Sequence, residues 1–369
     1  MNTRNADNDL GYFDIYGPAP MMEAMAKLSP SPQINSTTTH YGPFLYGLGK
    51  LINMTNCLEI GLATGWSSGF MAWAVKENSD HGVYYGIDIG PKVDLINECR
   101  NMGLPVGLIA EPSAEWLEKK TGLFLPESLD LVFDDGWHNT QYVIREVEAI
   151  YPLLKKNGYL IMHDVYATCE EVYSIVVNDP RYKWEHLRLL PCYGLGILRK
   201  MEGKEETITK DTDLPEGTIQ GDLFALNPFS PQTPYAYGIF IYTLARAISA
   251  MGHLECLEMG GTDWSAHFLK TAVEETNNRY GSGSWYGNEI MRDRNLDLAI
   301  LESTEQLETI YPRLKDKGFG YALIPDVDTK SIIDKYSVEH VSIGGYRLFR
   351  KMENYIHKNT FSWPEGDQR

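Results

Sequence analysis

The chain has 369 residues, of which 43% are hydrophobic and 22% charged, enough for two cores of ordinary size. Its formal net charge of −17 opposes polyanionic partners, so neither nucleic acid nor an anionic membrane surface is expected to bind it. Its longest apolar runs fall well short of the roughly 18 residues that cross a bilayer, and MNTRNADNDLGYFDIYG lacks the basic start and apolar core of a secretory signal.

In chain order, helical patterns over 21–28 and 42–52 come first, separated by a Ser-, Thr- and Pro-rich loop. Short apolar runs then alternate with helical segments, the pattern of a parallel sheet wrapped by helices. The predicted strands are NCLEIG, VYYGIDIG, PVGLIA, LDLVFDD and GYLIMHD. Between them WSSGFMAWAVKE, VDLINECRNM, SAEWLEKK and TQYVIREVEAIYPLL have helical period and length. WEHLRLL and YGLGILRKM follow with no helix between them, which predicts an antiparallel hairpin at the sheet edge. From Glu202 the composition turns polar and proline-containing, as in a linker.

Beyond the linker the chain repeats itself. CLEIGLATGWSSGFMAWAV, from Cys57, returns as CLEMGGTDWSAHFLKTAV, from Cys256. IYPLLKKNGYLIMHDV returns as IYPRLKDKGFGYALIPDV, and YGLGILRKM as GGYRLFRKM. Three collinear matches at this spacing imply duplication of a domain rather than a solenoid unit. The expected organisation is a first domain over 1–201 with an N-terminal helical cap, a linker over 202–233 and a degenerate copy over 234–369. YGSGSWYGNE, residues 280–289, is expected to be a loop peculiar to the second copy.

Two groups of residues carry chemistry. Strand one runs through Glu59 into the loop Gly61-Leu-Ala63-Thr-Gly65 and directly into a helix, whose free N–H groups favour polar or anionic ligand groups. Strand two ends at Asp88, where a carboxylate can accept hydrogen bonds from both ribose hydroxyls. In an open parallel sheet both face the crevice at the carboxyl ends of the strands, so together they indicate a nucleoside-containing cofactor. The second group is Asp134-Asp135-Gly136-Trp137-His138 after strand four, with His163-Asp164 ending strand five. Two carboxylates and two imidazoles there suit a hard cation such as Mg²⁺, and also Mn²⁺ or Fe²⁺.

The E-I-G-x-x-x-G loop, the acid after strand two, the D-D-G-x-H run and the closing hairpin together resemble class I S-adenosylmethionine-dependent methyltransferases. Within these the likeness is to metal-dependent O-methyltransferases of small molecules, notably those acting on antibiotic sugars, and to cephalosporin-hydroxylase-like relatives. It covers roughly residues 40–201. The resemblance implies S-adenosyl-L-methionine lined by Glu59, Gly61, Ala63 and Gly65, with Asp88 on the ribose, Ser113 near the adenine and Asp134 beside the cofactor. It implies a divalent metal, Mg²⁺, held by Asp135, Asp164 and His163, with His138 as general base; many relatives carry an acid at the place of His163. The implied fold is two tandem Rossmann-like methyltransferase domains, each a mostly parallel doubly wound sheet with an antiparallel edge hairpin.

The expected activity is O-methylation of a small hydroxylated metabolite or sugar. Alternatives are a metal-dependent hydroxylase on the same fold and a non-catalytic cofactor-binding or assembly protein. In the second copy the loop shortens and gains Asp263, the D-D-G-x-H run is missing, and Pro325 replaces His163, although Asp326 matches Asp164. That copy is expected to be inactive and to scaffold the first as an internal pseudo-dimer; a homo-oligomer is the other arrangement considered. Cysteines at 57, 99, 169, 192 and 256 show no paired metal spacing and read as buried thiols of a cytoplasmic protein.

Overall fold

The computed structural model describes residues 38–351 apart from 64, 92, 120–121, 190–192, 202–232, 250–253, 260–268, 275–283, 287–294, 316–319, 327–328 and 337–338. The helix expected over 21–28, the linker up to residue 232 and the loop containing Asp263 therefore lie outside the described residues.

The first half opens with α1 (Thr38–Leu51) and then alternates β1 (Asn56–Ile60), α2 (Trp66–Asn78), β2 (Val83–Ile87), α3 (Val93–Asn101), β3 (Val106–Ile109), α4 (Ser113–Glu118), β4 (Leu129–Asp134), α5 (Thr140–Ile150), β5 (Leu154–His163) and α6 (Glu170–Asn178). The hairpin β6 (Trp184–Leu189) and β7 (Leu195–Lys200) completes it. The strands stand in the order β3-β2-β1-β4-β5-β7-β6, parallel from β3 to β5 and antiparallel from β5 onward. Strand order reverses between β1 and β4, which opens a crevice at their carboxyl ends. Alternation along β1 sends Cys57 into the apolar layer under α1 and α2, and Leu58 and Ile60 into the layer on the opposite face. Asn139 caps α5 by accepting the Tyr142 N–H at 3.1 Å, which starts that helix just beyond the D-D-G-x-H run.

The second half contains α7 (Thr233–Ile248), β8 (Glu255–Glu258), β9 (Ser284–Tyr286), β10 (Leu298–Ile300), α8 (Thr304–Ile310), β11 (Tyr321–Pro325), α9 (Lys330–Tyr336), β12 (Glu339–Ile343) and β13 (Tyr346–Arg350). Its order β9-β8-β10-β11-β13-β12 parallels β2-β1-β4-β5-β7-β6. Part of the expected 280–289 loop is thus strand: Ser284–Tyr286 pairs in parallel with Glu255–Leu257, in the place β2 holds beside β1.

A second expectation is also corrected. The β6–β7 hairpin is not at an edge, because β6 pairs antiparallel with β12 and the two halves form one 13-stranded sheet. The backbone ladder there is short, joining His186 to His340, and side chains extend it on both sides. Glu185 accepts the Ser342 N–H at 3.0 Å, and Glu339 accepts the Arg188 N–H at 3.0 Å. The Tyr159 hydroxyl donates to the Ser342 carbonyl at 2.8 Å, and the Tyr321 hydroxyl to the Arg188 carbonyl at 3.3 Å. Polar edges that would otherwise template aggregation are thereby satisfied within the chain. Behind the sheet α1 packs on α7, with Phe44 and Phe240 ring centroids 6.0 Å apart, and one apolar layer runs through both halves.

Candidate active site

The glycine loop is built by close approach. Gly61 has φ 79°, and a Cβ there would collide with the backbone carbonyl of Asp135. That contact lets the β1 loop lie against the β4 loop, where the Asp135 N–H donates to the Ile60 carbonyl at 2.9 Å. Ala63 also lies in the left-handed region, at φ 42°, and Gly65 at φ 76° precedes α2. Asp88 fastens this loop: its carboxylate accepts the N–H groups of Leu62 at 2.9 Å and Ala63 at 3.1 Å, and that of Gly90 at 2.7 Å. The acid expected on the ribose therefore also holds the loop in place.

Glu59 sits differently from expectation. Its side chain is wholly buried beneath the loop and accepts hydrogen bonds from Ser67, from Ser68 at 2.6 Å and from Tyr84. Strand parity at β1 turns it inward, so it braces the start of α2 from below and does not line the crevice. Burial raises its pKa to about 7 against the pull of the three hydroxyls.

At the ends of β4 and β5 the structure gathers Asp135, His138, His163 and Asp164. His163 Nδ1 lies 2.9 Å from Asp135 and 3.0 Å from Asp164, while His138 lies 3.2 Å from Asp164 through Nδ1 and 3.7 Å from Asp135 through Nε2. Burial works against charge on His163, but the two carboxylates outweigh it and hold its pKa up at about 10. Burial likewise opposes ionisation of Asp135, and the two imidazoles more than reverse that, lowering its pKa. The hydrogen bond with Asp135 raises the pKa of His138 against partial burial.

One ligand atom from each of Asp135, His138 and Asp164 lies within 4.8 Å of the other two, a spacing and donor set compatible with one divalent cation. His163, only 2% exposed and capped by the edge of Tyr41 at 5.6 Å, lies behind the carboxylates as a cationic counterweight rather than within that group.

Asp134 and Ser113 belong to a third, buried group that includes Glu146. Ser113 donates to Glu146 and lies 3.5 Å from the Tyr142 hydroxyl, while Asp134 accepts the Gly136 N–H at 3.3 Å. Burial raises the pKa values of both Asp134 and Glu146; repulsion from Asp135 adds to the rise of Asp134, and repulsion from Asp134 to that of Glu146. Two residues were missed in sequence. Glu146 shares the inward face of α5 with Val143, Val147 and Ile150, so an acid on an apolar stripe was its visible signal. Thr168, whose Oγ1 meets His138 Nδ1 at 2.7 Å, carried no signal because a turn brings it back to the site.

Residues 58–165, which span all of these groups except Thr168, match the family model Methyltransf_24, described as a methyltransferase domain. This segment is a methyltransferase domain. Caffeoyl-CoA O-methyltransferase 2 of Petunia hybrida is 35% identical over 147 residues, covering 40% of this chain and 54% of the relative. Caffeoyl-CoA O-methyltransferase 1 of Nicotiana tabacum is 33% identical over 147 residues, covering 40% and 55% respectively. The chain thus spans about half the length of the curated relatives it matches. Two solved structures are also similar. The SAH-bound methyltransferase PaMTH1 of Podospora anserina is 16% identical, with TM-score 0.41 over 55% of this chain and 99% of that one. The O-methyltransferase TomG of Streptomyces achromogenes is 13% identical, with TM-score 0.39 over 54% of this chain and 100% of that one. Beyond the methyltransferase domain, no helix among the described residues is long and apolar enough to cross a membrane.

Proposed function

We propose that this chain transfers the methyl group of S-adenosyl-L-methionine to a hydroxyl oxygen of a small metabolite, with a divalent cation held by the carboxylates of Asp135 and Asp164 and His138 left free as general base. The observation that carries this reading is the meeting, at adjacent strand ends of a methyltransferase domain, of the Asp88-fastened glycine loop with the carboxylate and histidine cluster. The first turn of α2 would supply backbone N–H groups and Asp88 a ribose acceptor, with Asp134 beside the cofactor and Ser113 toward its adenine. A bound cation would lower the pKa of the acceptor hydroxyl. His138, oriented by Thr168, takes the proton as the oxygen attacks the sulfonium methyl, and Asp135 and Asp164 stabilise the imidazolium. Methyl transfer consumes the cofactor's positive charge, so alignment and a deprotonated nucleophile are the main requirements. The relatives named for caffeoyl-CoA support oxygen as the acceptor atom.

The second half is read as a degenerate copy without catalysis. Its strand order and its matched junction contacts support descent from one domain, and the carboxylate of Asp326 is taken up by Arg347 at 2.8 Å and by Ser342. The domains are taken as 1–201 and 234–369, packed as an internal pseudo-dimer around His186 and His340. Buried free thiols at Cys57, Cys99, Cys169 and Cys256 fit a reducing, cytoplasmic setting.

The test is production of S-adenosylhomocysteine across a panel of hydroxylated acceptors. Asp135→Ala is expected to lower turnover at least about 100-fold and abolish the response to Mg²⁺, and His138→Ala to cut the rate with cofactor affinity kept within about threefold. Wild-type rates in both variants on the accepted substrate would overturn the assignment, and oxygen uptake without S-adenosylhomocysteine would point to the hydroxylase chemistry instead.

A further inference from the structure

Asp164 and Thr168 lie in one tight turn after β5. The N–H groups of Ala167 and Cys169 both donate to the Asp164 carbonyl, at 2.8 and 3.0 Å, and Asp164 itself has φ 58°. A non-glycine residue in the left-handed region costs free energy and persists only where its surroundings hold it. Those surroundings converge on Tyr166. Its N–H donates to the Tyr193 carbonyl at 2.8 Å, and its ring edge occupies the space a Cβ at Gly194 would need. The guanidinium carbons of Arg188 and Arg350 stand 4.9 and 5.4 Å from its ring centroid.

Arg350 comes from β13, in the second half of the chain. Two guanidinium groups on one ring would repel, and Glu339 of β12 joins them. It accepts from Arg188 Nη2 at 2.7 Å, from Arg188 Nε at 3.0 Å and from Arg350 Nη1 at 3.0 Å. All three charged groups are largely or wholly buried, where such contacts are strongest. None of the three belongs to the histidine and carboxylate cluster.

We infer that Glu339 and Arg350 are positioning residues through which the second half of the chain, with Arg188, grips Tyr166 and so fixes Asp164 and Thr168 for the reaction. This rests on the reading of the cluster as the methyl-transfer site. The corresponding turn of the second half is held in another way, by Arg347 bonded directly to Asp326. In the first half the arginines hold an aromatic ring and leave Asp164 to the cluster. The second half is on this account a resident activator of the first.

The experiment uses the full chain with Arg350→Met, Arg350→Lys and, as a variant that leaves the junction charges intact, Tyr166→Leu. Amide exchange is read at Ala167 and Cys169 and at Val132 and Phe133 of β4, and Mn²⁺ affinity is measured by titration calorimetry. Arg350→Met and Tyr166→Leu are expected to lower protection at Ala167 and Cys169, and Mn²⁺ affinity, about tenfold each, with β4 protection unchanged. Arg350→Lys should stay within about threefold of wild type, since it keeps a cation over the ring. Unchanged protection in the turn, or an equal loss in turn and strand, would overturn the inference. Should Arg350→Met fail to fold, Tyr166→Leu decides alone. Wild-type Mn²⁺ binding that persists in Asp135→Asn would overturn the metal assignment, leaving the exchange measurement to judge the grip.

Discussion

Glu146 and Asp134 sit side by side beneath the crevice, both buried and both raised in pKa by burial, with Asp134 adding to the rise of Glu146 and Asp135 to that of Asp134. Glu146 normally titrates near 4.5, and in the folded chain it keeps its proton to higher pH. Between those values the folded state binds more protons than the unfolded chain, so stability falls as pH rises through that window. Glu146→Gln removes the linkage and gives Asp134 an amide neighbour. It is expected to leave the melting temperature at pH 5 nearly unchanged and to stabilise the fold at pH 8 by roughly 1–2 kcal/mol, read by thermal denaturation at the two pH values. Equal effects at both would show that Glu146 is ionised in the fold. The residue types of the site were legible because Asp88, Asp135, His138, His163 and Asp164 each close a predicted strand or follow it directly. Glu59 was misplaced for a reason of parity: the motif fixes its position in the strand, but the face it turns to depends on what packs below.

Helices α1 and α7 meet at equivalent places in their sequences, Phe44 against Phe240 and Gly47 against Thr243. Gly47 matters here for space, because a Cβ on it would collide with the Thr243 hydroxyl. Gly47→Val is expected to destabilise the chain by about 1–3 kcal/mol through overpacking. The exchanged pair Gly47→Thr with Thr243→Gly should recover most of that, as measured by denaturant unfolding; no recovery would mean that the surroundings of the two positions, and not their mutual contact, set the limit. Element types and order were readable from period and length. The β9 strand was not, since three residues bounded by glycine on both sides look like a loop until a neighbouring strand offers them partners.

Across the whole molecule, one sheet and one apolar layer pass through the boundary that the repeat draws. Independent domains would unfold separately, whereas a shared layer and a junction of buried ion pairs couple them. Scanning calorimetry of the full chain is expected to give a single transition with matching calorimetric and van't Hoff enthalpies. Two resolved transitions would show that the junction contributes little.

The sequence by itself determined the alternating architecture, the nucleoside-type loop with its acid and the cluster of candidate ligands, because each depends on local spacing along one strand and its following turn. It also predicted an inactive second copy, from missing residues. Only the tertiary structure decided that the hairpin edges pair with each other, that Glu59 lies beneath the crevice, and that Arg350 and Glu339 reach the turn of Asp164. Those contacts join residues far apart in the chain, and their geometry follows from how two complete sheets pack, which no local pattern encodes.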